Sequence, residues 1–206
     1  MSQSEPSGLE RPRIKAALVG RSRQLAELNE LFEMARSGHA CMGTLIGPAG
    51  IGKSRLVAEA CAMHTNQQAD SVRVCQAAAR ASDMGYGAVG RLLRDRFGLN
   101  DAIPEMQRVE RLTHEVSQIL DDRNVNDVCY FLGQLTGVKF PMTPVTRAVA
   151  DDPVEASLVR RALLRRFLEA DAAKVPLCWV VEDLHGIDAD SLDFLAYLGR
   201  SARGRI

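Results

Sequence analysis

The run Gly47-Pro48-Ala49-Gly50-Ile51-Gly52-Lys53-Ser54 spells G-x-x-x-x-G-K-[ST] in full, a pattern whose chemistry explains its spelling. A polyphosphate carries closely spaced negative charge that must be matched without burying many side chains. Glycines let the backbone turn so that successive N–H groups face inward as an anion nest. A helix opening near Gly52 adds its positive N-terminal end. Lys53 is expected to reach the β- and γ-phosphates and the Ser54 hydroxyl to ligate Mg²⁺, with Arg55 closing the binding segment.

Holding a nucleotide is not hydrolysing it. Hydrolysis also needs a carboxylate on the metal and a group that positions water. Leu177-Cys-Trp-Val-Val181 followed by Glu182-Asp183 supplies two adjacent acids after an apolar run. At the end of a buried strand they would project near the C-terminal sheet edge, where ligands bind in parallel α/β folds. Glu182 is expected on Mg²⁺ and Asp183 on the attacking water. The two roles are interchangeable, because spacing cannot separate neighbours, so both are candidate metal ligands together with Ser54. Lys53, Glu182 and Asp183 form the candidate catalytic set. His185 follows in the connecting loop as a surface residue or a contact near the γ-phosphate. His39, His64 and His114 lack metal-ligand spacing.

The elements that must position these residues are legible in outline. From Ser22, a possible N-cap, Leu25, Leu28, Leu31, Phe32 and Ala35 recur at helical spacing, and Gly38 can stop that helix. Met42–Ile46 reads as the strand feeding the phosphate loop, and Leu56, Val57, Ala60 and Cys61 as the helix leaving it. Ser71–Ala79 reads as a second strand and Val89–Phe97 as a short helix. Residues 104–135 are mostly helical in pattern. Asp152-Pro153-Val154-Glu155 is a helix start, with Asp at the N-cap, Pro at N1 and Glu at N3, for a helix running to about Ala173. The apolar run 177–181 suits a buried parallel strand. Asp188 can cap a last helix holding Leu192, Leu195 and Leu198. Strands alternating with helices predict a three-layer α/β/α sandwich on a parallel sheet. A helical insertion is expected at about 90–150, before the acidic strand.

Composition narrows the function classes. The 206 residues carry 26 Lys+Arg and 26 Asp+Glu, so the net charge is zero. That argues against a coat for nucleic acid or an anionic membrane. The basic stretches Arg91, Arg94, Arg96 and Arg160, Arg161, Arg165, Arg166 read as solvated helix faces. Five dispersed cysteines without a C-x-x-C suggest free, buried thiols in a reducing compartment, hence a cytoplasmic protein. The longest apolar runs are about five residues, against the ~20 of a membrane helix. Residues 1–15 are expected to be a flexible leader, and 16–206 a single nucleotide-binding domain.

Leu18-Val19-Gly20-Arg21, the helix after it, the GPAGIGKS loop and VVEDLH resemble the AAA+-related P-loop ATPase modules of the STAND class. They are similar to the origin-recognition-type ATPase domain of large bacterial signalling regulators. The resemblance covers about Leu18–Arg200. It implies ATP and Mg²⁺ as cofactors, with Val19 and Gly20 at the adenine base and Arg21 nearby. It implies a regulatory module that works with other domains or subunits of a larger regulator. The sequence departs in Gly186-Ile187-Asp188, where the family carries Trp-Ala-Asp. It ends at Ile206, whereas family members continue with a sensor strand, a further strand and a helical lid. The domain is therefore expected to be incomplete at its C-terminus, to self-associate through an uncovered sheet edge, and to bind nucleotide while turning it over poorly. The alternatives are a non-hydrolysing, nucleotide-dependent interaction fragment and a GTPase. Asp183-Leu-His-Gly186 fits D-x-x-G, but no [NT]-K-x-D occurs and more than half the chain separates Ser54 from Asp183. Without a helix-turn-helix signal, direct DNA binding is not expected.

Overall fold

A computed structural model describes residues 20–65, 71–120 and 124–206. In chain order the elements are α1 (Ser22–Arg36), α2 (Lys53–Thr65), β1 (Arg73–Ala78), α3 (Gly87–Arg96), α4 (Glu105–Ile119), α5 (Val125–Thr136), α6 (Pro144–Ala148), α7 (Pro153–Lys174), β2 (Leu177–Glu182), a 3₁₀ turn at Leu184–Gly186, and α8 (Ala189–Ser201). Between β1 and β2 the elements among the described residues are the helices α3–α7. The leader 1–15 and Val19 lie outside the described residues.

The longest helix shows how local rules set the frame. Asp152 accepts the N–H groups of Val154 (2.9 Å) and Glu155 (3.1 Å), and Pro153 opens α7 at no cost in hydrogen bonds. Leu164, Phe167, Leu168, Asp171 and Ala172 then fall on one buried face. They pack with Leu92, Leu93 and Phe97 of α3 and its C-cap, Leu112 and Val116 of α4, and Val128 and Leu132 of α5. Each fully buried Leu or Phe contributes roughly 1.5–3 kcal/mol. Gly90 lets α3 touch α5, because a Cβ there would meet the Leu135 carbonyl oxygen at 2.3 Å.

Asp171 is a charge inside that apolar face and is neutralised where it lies. Arg73 of β1 (2.6 Å) and Arg96 of α3 (2.6 and 2.9 Å) both donate to it, and Arg96 also reaches Glu115 of α4 (3.2 Å). Burial pushes its carboxyl up, but the bonds from Arg96 and then Arg73 outweigh this and hold it below the usual carboxylate range. The expectation that Arg91, Arg94 and Arg96 form a solvated face is therefore corrected. Arg96 is 6% exposed, and Arg91 ties α3 to Asp83 and to the Ala78 carbonyl at the end of β1. In the second basic stretch, Arg160 lies over the Tyr86 ring (4.5 Å) and Arg165 donates to the Ser201 carbonyl (3.1 Å).

β1 and β2 pair in parallel, with Arg73 opposite Leu177 and Ala78 opposite Glu182. Side chains alternate across the sheet. Cys75, Ala77, Leu177, Trp179 and Val181 meet the helical core, so Val74, Gln76, Cys178, Val180 and Glu182 occupy the opposite face.

Three expectations are corrected. Met42–Ile46 is not a strand, and Ile46 is 93% exposed. The reason lies in the backbone beside it. Leu177 N–H donates to the Arg205 carbonyl (2.9 Å), and Cys41 N–H donates to the Ile206 carbonyl (3.1 Å). These two consecutive residues thus bridge the start of β2 and the start of the 42–46 segment. Beyond them the segment has no ladder partner among the described residues. Among the described residues the parallel sheet is accordingly two-stranded rather than the middle layer of a full sandwich. Ser22 is the first residue of α1 and not its cap. Arg21 holds the N-cap position without a side-chain bond, while Gly38 ends the helix region at φ 90° as expected.

Candidate functional site

The phosphate-loop sequence folds into a tight turn running directly into α2. Gly50 (φ 76°) and Gly52 (φ 94°) adopt conformations that L side chains rarely take, which is why the motif places glycine at both. The loop is exposed from Gly47 to Gly52. The Lys53 ammonium donates to the carbonyls of Gly47 (2.9 Å) and Pro48 (3.0 Å), curling back over the loop it terminates. Arg21 reaches across and donates to the Ile51 carbonyl (3.2 Å). The Gly20-Arg21 segment therefore lies against the loop although thirty residues separate Arg21 from Ile51. Lys53, Ser54 and Arg55 form the first turn of α2, where free N–H groups and the helix dipole favour an anion.

At the other half of the site, Glu182 ends β2, and Gln76 Nε2 donates to its Oε1 at 2.9 Å. Asp183 leaves the strand in the left-handed region (φ 53°, ψ 43°), and its carbonyl accepts the Gly186 N–H at 2.8 Å to start the 3₁₀ turn. Gly186 packs on the backbone of Ala79–Ala81, where a Cβ would come within 3.2 Å of the Ala81 nitrogen. Asp188 caps α8 through Ser191 N–H (2.9 Å), as expected. It also accepts Tyr86 N–H (2.8 Å) and Ala88 N–H (3.2 Å) at the start of α3. His185 is exposed.

Val72 N–H donates to the His64 carbonyl (3.0 Å), which sets the end of α2 against the start of β1. Lys53 opens α2 at the other end of that helix, and Glu182 ends β2 at the other end of the ladder. Among the described residues no three His, Cys, Asp or Glu side chains converge into a metal cage. Mg²⁺ does not need one, since it keeps waters and takes one or two carboxylates plus phosphate oxygens. The hard oxygens of Ser54 and Glu182 suit it.

The family model for the AAA ATPase domain matches residues 17–205. The chain belongs to the AAA ATPase domain family. Nucleotide binding on a P-loop α/β fold comes with that membership. No curated protein and no solved structure matches the chain at a significant level. Among the described residues of this AAA ATPase domain, no helix is long and apolar enough to cross a membrane.

The domain also uses residues that sequence reasoning passed over. Gln76 orients Glu182, yet only the β1–β2 register places them side by side, and no local pattern encodes that register. Asp83, Arg91 and Tyr86 fix the turn after β1 through contacts that a linear reading cannot pair.

Proposed function

We propose that this AAA ATPase domain binds ATP with Mg²⁺ and serves as the nucleotide-switched module of a larger cytoplasmic signalling or transcription regulator of the STAND class. The observation that carries the reading is the complete phosphate loop opening straight into the exposed first turn of α2. Backbone N–H groups of residues 47–54 cradle the α- and β-phosphates. Lys53 exchanges its two loop carbonyls for β- and γ-phosphate oxygens. Gly20 and Arg21, held to the loop through Ile51, flank the base together with Val19. Ser54 and Glu182 hold Mg²⁺, which when bound neutralises charge on the β- and γ-phosphate oxygens. Gln76 keeps the Glu182 carboxylate in one orientation. Asp183 orients a water for attack, and the two acids can exchange roles.

Binding is expected to exceed turnover. The loop and α2 are built, but the run leading into the loop lacks ladder support past Cys41. The loop's position then rests on α2 rather than on the ladder, and water attack is sensitive to small misplacements. Lys53→Ala tests the reading. Hydrogen bonds to charged groups are worth about 1.5–3 kcal/mol, so ATP affinity by calorimetry should fall by well over tenfold. Equal affinity in variant and parent refutes the assignment.

A further inference from the structure

The charges of the chain balance overall but not locally. After Asp193 the sequence carries Arg200, Arg203 and Arg205 and no acid. α8 ends at Ser201, and the strap behind it, residues 202–206, runs along the end of α7 to the start of β2. Between strap and helix lies a cleft of about 520 Å³, lined by Arg165, Glu169, Arg200, Ser201, Ala202 and Arg203. The strap meets β2 at Leu177, the opposite end of the ladder from Glu182.

The rim of this cleft is fixed by hydrogen bonds along its length. The Ser201 carbonyl accepts Arg165 Nη1 (3.1 Å), and Ala202 N–H donates to the Leu198 carbonyl (2.8 Å). Arg203 N–H donates to Glu169 Oε1 (2.9 Å), Gly204 turns the chain at φ 95°, and the Arg205 carbonyl accepts Leu177 N–H (2.9 Å). Elsewhere arginines meet acids: Arg73 and Arg96 on Asp171, Arg91 on Asp83, Arg94 on Asp101. Here the one carboxylate, Glu169, is spent on a backbone amide. It stays 3.8 Å from Arg165 Nε, which is buried without a hydrogen-bond acceptor. Arg200 and Arg203 are exposed, and among the described residues their guanidiniums have no hydrogen-bond or ion-pair partner.

We infer that this cleft binds a small phosphate-bearing anion at a site separate from the phosphate loop. Three guanidiniums against one carboxylate leave an excess of positive charge. A cleft walled by one sign of charge concentrates its counter-ion. Guanidinium forks match phosphate oxygens in pairs, and a phosphate monoester carries roughly 1.5–2 negative charges at pH 7, close to that excess. The volume falls within the ~300–1,000 Å³ of small-ligand sites. It is too small for a nucleic-acid duplex, and a net charge of zero gives the chain no long-range pull on one. Because the strap is already held, binding orders only the Arg200 and Arg203 side chains.

Calorimetric titration of the full chain with inorganic pyrophosphate tests this. The phosphate loop is itself an anion site, so the titration is run in the Lys53→Ala variant, which should still bind one pyrophosphate. Adding Arg200→Gln/Arg203→Gln should weaken that binding by about tenfold or more, since charge-assisted bonds are lost. In the chain with Lys53 intact, the same pair of substitutions should lower the stoichiometry from two to one. Glu169→Gln keeps an acceptor for the Arg203 amide but removes the negative charge, and should tighten binding several-fold. Unchanged binding on losing Arg200 and Arg203 overturns the proposal. So does equal binding by Arg200→Lys/Arg203→Lys, which would make the attraction a diffuse field rather than a guanidinium site. A short DNA duplex that displaces pyrophosphate at equal phosphate concentration overturns the assignment to a small ligand.

Discussion

Asp188→Ala probes how the acidic end of β2 is held in place. One carboxylate accepts three backbone N–H groups: Ser191 at 2.9 Å, Tyr86 at 2.8 Å and Ala88 at 3.2 Å. The first caps α8. The other two serve the opening of α3, whose own N-cap residue, Tyr86, sits in the left-handed region at φ 63° and gives no side-chain cap. Losing an N-cap costs about 1 kcal/mol. The two α3 bonds are charge-assisted, and Ala88 is 0% exposed, so water cannot replace its partner there. At about 1 kcal/mol net for each orphaned amide, the total loss is about 3 kcal/mol, a large share of the ~5–15 kcal/mol that holds a typical domain. Urea unfolding followed by fluorescence reads this, since Trp179 is the single tryptophan and lies within β2. Asp188→Asn keeps an acceptor oxygen and should lose roughly half as much. The pH dependence follows in sign. Burial raises the Asp188 carboxyl, but the bonds from Ser191, Ala88 and Tyr86 outweigh it, so the group titrates below its unfolded value of about 3.9. Its contribution is present above that value and is lost as pH falls through the lowered folded pKa. Asp188→Asn should flatten that acid limb. A loss under about 1 kcal/mol for Asp188→Ala would refute the double-cap account.

The other predictions are independent of this one. Glu182→Gln should weaken the Mg²⁺-dependent part of ATP affinity, whereas Asp183→Asn should spare binding and lower any turnover; titrations with and without Mg²⁺ check both, and parent-like behaviour of the two variants refutes the roles given to the acids. His64 stacks on Phe32 of α1 (4.2 Å) with its Nε2–H on Asn29 Oδ1 (3.1 Å), and burial, then Arg36, hold its pKa below the usual histidine value against the opposing pull of Glu33. Neutral His64 is thus the form that fits, and stability should fall as pH drops below about 6.5; urea midpoints of parent and His64→Gln at pH 7.5 and 5.5 should converge in the variant alone. Ile46→Lys should reduce self-association in sedimentation velocity, because the 93% exposed Ile46 ends a run that has no ladder partner among the described residues; a parent that is monomeric at high concentration refutes this.

What the sequence made legible is what local physics encodes. Asp152-Pro153 and Asp188 start helices because a carboxylate can reach amides two or three residues on, whatever lies elsewhere. The phosphate loop is legible because glycine is required where φ is positive, at Gly50 and Gly52. The Leu177–Glu182 strand is legible as a short apolar run, although only Leu177 of it is fully buried. The failures are all non-local. Met42–Ile46 has strand composition, but a strand exists only with a partner, and Arg205 and Ile206 reach only Cys41, just before that run, and the first residue of β2. Arg96 looks like a surface charge until Asp171 and Glu115 arrive from two other helices. Gln76 means nothing until parallel pairing sets Ala78 opposite Glu182.

These failures share a mechanical consequence. In a parallel sheet that included the run before the phosphate loop, the ladder itself would fix the loop relative to the acids. Here that run is bonded through Cys41 alone, so the relation between Lys53 and Glu182 passes through α2 and its seat on the sheet face. The Val72 N–H on the His64 carbonyl is a point of that seat, and it lies well along the helix from Lys53. Binding needs only the loop and the first turn of α2, which are built locally. Hydrolysis needs a correct distance from that turn to Asp183, which is set by the seat. Perturbations of the seat of α2 on the sheet should therefore change turnover more steeply than affinity, and changes within the loop should do the reverse. That split separates a site organised by helix docking from one organised by its sheet.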